Sequence, residues 1–494
     1  MDAFVGAIDQ GTTSTRFVIV DAEGAFVSVS RMEHAQVLPG PGRVEHRPEE
    51  ILTNTRAVIQ DALDLAGLRA SDLLGVGIAN QRETTVVWDR LTGEAVTNAI
   101  VWQDTRTADL VKSLAASYGS EAFRQKTGLP PSTYFAGPKI RSILDQSPDL
   151  ARRAINGDLA FGTIDSWLAW HLTGRHVTDV TNASRTMLMD LATLAWDEDL
   201  RDAVGVPMAL LPEIVPSIGD IGACSGVLEG TRLMTILGDQ HAALVGQAAF
   251  SVGDTKVTYG TGAFLVSNTG TEIVSSSSGL LTTVAYQIAG ESPRYALEGS
   301  VAVAGSAVQW LRDNIGLISS AEEIEVLAST VPDNGDVYFV PAFSGLFAPH
   351  WRDDARGVLV GLTHYSNKGH IARAVLEATA FQTKDVLDAM VTDTGRALPE
   401  LRVDGGMVAN ALLMQFQADV LGIDVVVPSV TETTALGAAF GAGLAGGLWS
   451  DIDEVTRHWS EATRYQPAME DAVRSRLLAG WSRAIDRSLN WIES

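Results

Sequence analysis

The chain has 494 residues, 46% of them hydrophobic and 19% charged, and a formal net charge of −24. That length exceeds what one core supports, so two domains of roughly 240 residues are expected, and the composition excludes a disordered chain. The acidity argues against a general binder of nucleic acid or anionic membrane, which needs a basic face.

Residues 4–8 and 17–20 are apolar strands on either side of Asp9-Gln10-Gly11-Thr12-Thr13-Ser14-Thr15-Arg16. Pro48 opens an amphipathic helix over 48–65, with Ile51, Val58, Ile59, Ala62 and Leu63 on one face. Strands at 74–79 and 85–88 flank Asn80-Gln81-Arg82-Glu83, and a short strand lies at 99–102. Asp165 is expected to cap the helix that begins at Asp165-Ser166-Trp167. A strand-like run at 234–237 leads into Asp239-Gln240-His241.

The second half follows the same pattern. Strands at 256–259 and 263–267 flank Tyr259-Gly260-Thr261-Gly262, and 337–340 is strand-like. A long helix covers 370–390. Residues 401–403 run into Asp404-Gly405-Gly406, and a helix with Leu412, Leu413 and Phe416 follows. Residues 435–449 are apolar and rich in Gly and Ala. They are too short and interrupted to span a bilayer, and their small side chains suit close helix packing. Strands alternating with helices indicate an α/β fold. No linker marks the boundary, which is placed at 246, giving domains 1–246 and 247–494. One cysteine, Cys224, and a start without a basic secretion signal point to a soluble cytoplasmic protein.

Glycine- and hydroxyl-rich turns between strands aim backbone N–H groups and hydroxyls at phosphate oxygens. No Gly-Lys-Ser or Gly-Lys-Thr occurs, so this is not a P-loop. The first turn opens onto a strand, so it is not a dinucleotide fingerprint either. One such turn alone is most often only a turn. Two of them, with Asp-Gly-Gly and an aspartate between, point to ATP-dependent phosphoryl transfer in a cleft between two halves. Asp9 either holds Mg²⁺ through water or bonds its own turn. Asp239 either accepts the proton of an acceptor hydroxyl or caps a helix.

Eight segments carry a specific resemblance: the first turn (9–16), Asn-Gln-Arg-Glu-Thr-Thr (80–85), Ile-Val-Trp-Gln-Asp-Thr-Arg-Thr (100–107), Thr-Asn-Ala-Ser-Arg-Thr-Met-Leu (181–188), Gly-Asp-Gln (238–240), Tyr-Gly-Thr-Gly (259–262), Ala-Val-Gln-Trp-Leu-Arg-Asp (307–313) and Val-Asp-Gly-Gly (403–406). In this order, over about residues 4–449, they resemble the FGGY carbohydrate kinase family, and within it the members that phosphorylate glycerol. The resemblance implies two actin-like (ribonuclease H-like) domains with an interdomain active-site cleft. It implies ATP and Mg²⁺ as cofactors and transfer of phosphate to glycerol, giving sn-glycerol 3-phosphate. A homodimer or homotetramer is implied as well.

By the same resemblance Arg82, Glu83, Tyr134, Asp239 and Gln240 fall on glycerol-binding positions. Chemically, Arg82 and Glu83 offer a donor fork and two acceptor oxygens. Trp102, Tyr134 and Phe264 suit an apolar wall against the carbon chain. Otherwise Arg82 and Glu83 are a solvated hairpin tip, and the aromatics are core. For the nucleotide the resemblance points to Thr12, Thr13, Ser14, Arg16 and Thr261, with Gly305, Gln309, Gly406 and Asn410 nearer base and ribose. Arg43, Arg47 and Arg352 depart from the family pattern. The rival expectations are another polyol or sugar kinase, for xylulose or erythritol, and a nucleotide-driven actin-like or Hsp70-like binding protein.

Overall fold

In the computed structural model, which describes residues 3–492, the run before the first glycine turn is strand β1 (Phe4–Gln10) and the run after it is β2 (Ser14–Val20). The pleat sends Ile8, Phe17 and Ile19 to one face and Val5, Ala7, Val18 and Val20 to the other. Both faces are buried, which is why these strands read as continuous apolar runs. With β3 (Phe26–Glu33), β4 (Leu73–Asn80), β5 (Ile218–Ala223) and β6 (Arg232–Gly238) they form a six-stranded sheet in the order β5-β6-β4-β1-β2-β3. The pairs β1–β4 and β4–β6 are parallel and the others antiparallel.

The second sheet repeats this plan. Its strands are β7 (Thr255–Tyr259), β8 (Ala263–Gly270), β9 (Leu281–Tyr286), β10 (Arg294–Val301), β11 (Glu400–Asp404), β12 (Asp424–Pro428) and β13 (Glu461–Tyr465), in the order β9-β10-β8-β7-β11-β12-β13. Each sheet has a central hairpin, a third antiparallel strand on one side and two parallel strands on the other. The helices also correspond. In the first half α1 (Pro48–Ala66), α2 (Ile164–Thr173) and α3 (Asp239–Gly246) precede β4, precede β6 and follow β6. In the second, α4 (Lys368–Thr394), α5 (Ala411–Leu421) and α6 (Thr433–Gly446) precede β11, precede β12 and follow β12.

Local chemistry sets the helix ends. Pro48 is the first residue of α1, and Gly67 (φ 67°) ends it in the left-handed region. α4 runs longer than the sequence suggests because Asn367 Oδ1 accepts the Gly369 N–H at 2.8 Å and Gly395 closes the other end. The expected cap at Asp165 is corrected: the cap position is Thr163, and Asp165 is buried inside the first turn of α2. Its carboxylate accepts from the hydroxyls of Thr163 and Thr178, the latter at 2.7 Å. A buried carboxylate takes the nearest strong donors, whatever the helix end prefers. At α3 the cap position is Gly238, and Asp239 is the first helical residue.

The stretch between β4 and β5 builds a separate core around Val87, Phe123, Ile140, Phe161 and Leu200 and supplies Trp102, Tyr134 and Arg185. Among the described residues no helix is long and apolar enough to cross a membrane. Met1 and Asp2, at the start read for a secretion signal, lie outside the described residues.

The two halves lock where α3 crosses α6. A Cβ on Gly437 would stand 1.8 Å from the Ala242 carbonyl oxygen, and one on Gly246 would stand 2.0 Å from that of Thr433. α6 also lies on the first sheet, where a Cβ on Gly77 of β4 would meet Ala438 O at 2.2 Å. G437A therefore sets two effects against each other. Alanine gains about 1 kcal/mol of helix propensity, but overpacking costs about 1–3 kcal/mol and this clash is with backbone that cannot rotate away. The expected outcome is a lower melting temperature, checked by calorimetry; an unchanged or raised value would refute this account of the crossing.

Candidate active site

The first hairpin turn is held from several sides. The Gly11 N–H donates to Ser14 O at 2.9 Å, closing the turn. Gln81, just past β4, donates through Nε2 to Gln10 Oε1 and Gly11 O, both at 3.1 Å. His34 N–H donates to Thr13 O at 3.1 Å, and its ring Nε2 lies 3.0 Å from Thr12 O. Trp102 Nε1–H donates to Thr12 Oγ1 at 3.0 Å. The outer face stays open: a Cβ on Gly11 would meet nothing closer than Ser14 O at 3.6 Å. Arg16 reaches across to Glu432, at the start of α6. Burial pushes the Asp9 carboxyl up to about 6; Arg16 opposes this, and Glu432 and Asp239 add to it.

The second hairpin tip stacks backbone on backbone with two other segments. Thr261 O accepts Ala304 N–H and Ser306 N–H at 3.0 Å each and Ser306 Oγ at 2.9 Å, while Gly305 N–H donates to Gly260 O at 3.0 Å. Gly405 has φ 90°, and a Cβ there would lie 2.3 Å from Tyr259 O, so only glycine fits. Outward the cradle is open. Among the described residues a Cβ on Gly406 meets nothing within 4 Å, and one on Gly260 meets only Gly262 O at 3.8 Å. Gly260, Thr261 and Gly406 are exposed, and Gly305 is half-buried against the tip, where a Cβ would stand 2.6 Å from Gly260 O. Gln309 stands one turn further along the Gly305–Trp310 helix and is exposed. Asn410 commits its Oδ1 to capping α5, accepting Leu413 N–H at 2.8 Å.

Between the hairpins lies a chain of buried charges. Arg82 and Glu83 are only 3% and 1% exposed, which overturns the solvated-tip alternative. The chain turns inward there because Arg82 finds a carboxylate on β10: Nη1 donates to Glu298 Oε2 at 2.5 Å and Nη2 to Oε1 at 2.9 Å. Arg82 Nε lies 3.1 Å from Asp239 Oδ1. Arg185 Nε donates to Glu83 Oε1 at 2.7 Å, and Arg185 Nη2 to Glu298 Oε1 at 3.4 Å. Glu83, Arg185, Glu298, Arg82 and Asp239 therefore alternate in sign along one path that crosses between the halves. The Arg82 fork expected to face substrate is turned onto Glu298.

The electrostatics separate the carboxylates. Burial would raise Glu298, but Arg185 and Arg82 hold it well below the usual carboxylate range. Burial raises Glu83 despite the opposing Arg185 and Arg82. Burial also raises Asp239, with Arg82 opposing. Asp239 keeps 30% of its side chain exposed, against 1% for Glu83 and 0% for Glu298, so it is the carboxylate of the three that opens outward. Three aromatics gather against the same charges, with the Arg185 guanidinium 5.6 Å over the Tyr134 ring. Trp102 meets Tyr134 edge-on at 5.7 Å and Phe264 at 6.3 Å between ring centroids, and all three rings are half-buried rather than core.

Arg185, Glu298, Lys139 and Lys256 are functional-site residues whose roles the sequence alone does not mark. Arg185 lies inside a quoted segment, yet its role depends on a contact with β10. Glu298 is the lone charge in the buried run 295–299 of β10 and Lys256 the lone charge of β7, which is a usable signal because lone charges are rarely buried unpaired. Lys139 donates to the carbonyls of Tyr134, Glu83 (3.5 Å) and Phe135 (3.4 Å), tying the aromatic wall to the Arg82 turn. Arg47 pairs with Glu50 at 3.3 Å and Arg352 with Asp354 at 2.6 Å, and Arg43 is exposed.

Residues 4–246 match the N-terminal domain of the FGGY family of carbohydrate kinases, and residues 255–446 match its C-terminal domain. The chain belongs to the FGGY family of carbohydrate kinases. A glycerol kinase from Chloroflexus aggregans is 57% identical over 498 residues, covering 100% of both chains. The crystal structure of Plasmodium falciparum glycerol kinase with ADP superposes with a TM-score of 0.93 at 37% identity, covering 100% of this chain and 99% of that one. Xylulose kinase from Rhodospirillum rubrum superposes with a TM-score of 0.86 at 25% identity over 98% of each chain. The FGGY fold, with its two actin-like (ribonuclease H-like) halves, accounts for the sheet plan occurring twice.

Proposed function

We propose that this FGGY kinase transfers the γ-phosphoryl group of ATP to a terminal hydroxyl of glycerol, giving sn-glycerol 3-phosphate and ADP. Asp239 carries the proposal: an outward-facing carboxylate braced by Arg82, beside an aromatic wall and between two open glycine turns. The full-length similarity to glycerol kinases supports the choice of acceptor.

Asp239 accepts the proton of the attacking hydroxyl and aligns its oxygen with the phosphorus, alignment counting most in a loose transition state. Glu83, Tyr134 and Gln240 bind the acceptor, joined by Arg82 through the N–H groups that Glu298 and Asp239 leave uncommitted, with Trp102 and Phe264 against its carbons. Thr12, Thr13, Ser14, Arg16 and Thr261 meet the phosphates, where glycines allow close backbone approach. Gly305, Gln309, Gly406 and Asn410 line the base and ribose side. The surroundings of Asp9 fit Mg²⁺ held through water: the carboxylate lies near the end of β1 beside the open first turn, and burial, with Glu432 and Asp239 adding and Arg16 opposing, disfavours its charge without a cation. Among the described residues no three His, Cys, Asp or Glu side chains gather to hold a metal directly. Mg²⁺ would neutralise charge on the phosphates while keeping much of its hydration. We assign residues 1–246 to the acceptor-binding domain with the first hairpin, and 247–494 to the nucleotide-binding domain. The enzyme is placed in the cytoplasm, where a lone buried Cys224 is at home, as a homodimer or homotetramer.

The test is an ADP-release assay over glycerol, erythritol and xylulose, with products identified by mass. Glycerol is expected to give the highest kcat/KM and a monophosphate product. ATP hydrolysis indifferent to any polyol would overturn the proposal, and preference for xylulose or erythritol would overturn the acceptor.

A further inference from the structure

We infer that Lys256 fixes the orientation of the Gln240 amide and thereby makes the acceptor site select a vicinal diol, an inference that rests on Asp239 and Gln240 facing a polyol. Lys256 lies in β7 with none of its surface exposed (0%). A buried ammonium persists only with partners. Its Nζ has three: Gln240 Oε1, Thr258 Oγ1 at 2.9 Å and Phe264 O at 3.5 Å. An ammonium donates and never accepts. The Gln240 amide must therefore turn its oxygen to Lys256, because the flipped amide would set donor against donor. Nε2 is left pointing away from Lys256 as a donor. One residue earlier Asp239 is an acceptor, and its Oδ1 takes the Gln240 N–H at 2.7 Å.

An acceptor and a donor on consecutive side chains match two neighbouring hydroxyls of opposite roles. One hydroxyl gives its proton to Asp239 and the next accepts from Gln240 Nε2. A 1,3-diol fails to place its second oxygen there and leaves the amide unmatched, which is the costly case in a polar pocket. The groups facing Lys256 are Asp404 from the end of β11, Asp239 from α3, Arg82 from the turn after β4 and Glu298 from β10. Burial lowers its ammonium to about 8, with the carboxylates opposing and Arg82 assisting. The charged form, and with it the fixed amide, is present below that pH and lost as pH rises through it.

The experiment uses the full chain. Glycerol affinity is read from tryptophan fluorescence without nucleotide and from KM, alongside kcat/KM for propane-1,2-diol and propane-1,3-diol. Wild type is expected to prefer the 1,2-diol by about tenfold or more, and 1/KM for glycerol to fall above pH about 8. K256M is expected to raise glycerol KM by about tenfold with ATP KM within about twofold, and to lose both the diol preference and the alkaline fall. In a Q240A background K256M should add less than about twofold, since Lys256 acts through that amide. Additive effects, or an unchanged diol preference in K256M, would overturn the inference. Should K256M fail to fold, Q240E replaces the donor by an acceptor with Lys256 still paired, and a retained 1,2-diol preference there is equally fatal. Wild type that turns over no polyol sinks the underlying function as well; wild type active on glycerol with an additive cycle sinks the role of Lys256 alone.

Discussion

D239N is expected to lose roughly 10²–10⁴-fold in kcat, the range for removing a positioned general base, while the protein still folds and binds glycerol. Asparagine keeps the side chain's shape and leaves an oxygen for the Gln240 N–H that Asp239 Oδ1 now accepts at 2.7 Å. Arg82 is not stranded either, because Glu298 still takes two of its N–H groups at 2.5 and 2.9 Å. What disappears is the base. Turnover by ADP release, glycerol binding by tryptophan fluorescence and melting by calorimetry separate these effects, and near-normal kcat would refute the role of Asp239. The pH profile is a second check. Burial, only partly opposed by Arg82, raises the Asp239 carboxyl above the ordinary aspartate value. Activity that needs the carboxylate is then present above that raised value and is lost as pH falls through it. The acid limb of kcat/KM should therefore lie higher than an exposed aspartate gives, and D239N should lack it.

What the sequence disclosed depended on how local the cause was. The hairpins were legible because apolar runs end at glycine turns within a few residues of each other, as from Ile8 to Phe17. The pattern common to the two halves was legible too, but their strand order and pairing were not, because β1 (Phe4–Gln10) and β7 (Thr255–Tyr259) share pleat and pairing but hardly a letter. Asp165 was misread because helix-cap preference is a local rule, whereas its carboxylate answers to Thr178 thirteen positions on. Small residues in α6 announced a close approach without naming the partner, which is backbone of α3. Arg82 and Glu83 could be singled out as a pair, but the reason two charges sit in the interior lies at Glu298, 216 positions from Arg82. No periodicity or spacing carries such a link; only the packing of β10 against the turn after β4 reveals it.

That link makes Glu298 the other position where a single atom change should have a large effect. It is fully buried (0% exposed) and is shared by two buried guanidinium groups, Arg82 at 2.5 Å and Arg185 at 3.4 Å. E298Q keeps the volume and removes the charge both arginines face. Breaking a buried ion pair by neutralising one member costs about 3–5 kcal/mol, since the remaining charge has lost its compensation. Because Arg185 and Arg82 hold the Glu298 carboxyl below its ordinary 4.5 despite burial, its contribution to stability is fully present above that value. It is lost only as pH falls through the depressed pKa, so the gap between wild type and E298Q should stay level across neutral pH and close only in acid. The catalytic effect follows from the same geometry. Arg82, released from β10, no longer holds its Nε 3.1 Å from Asp239, and Arg185 no longer braces Glu83 from a fixed position. A loss of about 3 kcal/mol in transition-state stabilisation is roughly a hundredfold in kcat/KM for glycerol. Glu298 belongs to the half of the chain that carries the second hairpin, and both arginines belong to the other half, so the ordering of the acceptor site depends on the two halves being together. Melting temperature against pH, read beside glycerol kcat/KM, tests both consequences; an E298Q protein that melts with wild type and phosphorylates glycerol at the wild-type rate would show that the charges are paired without being needed.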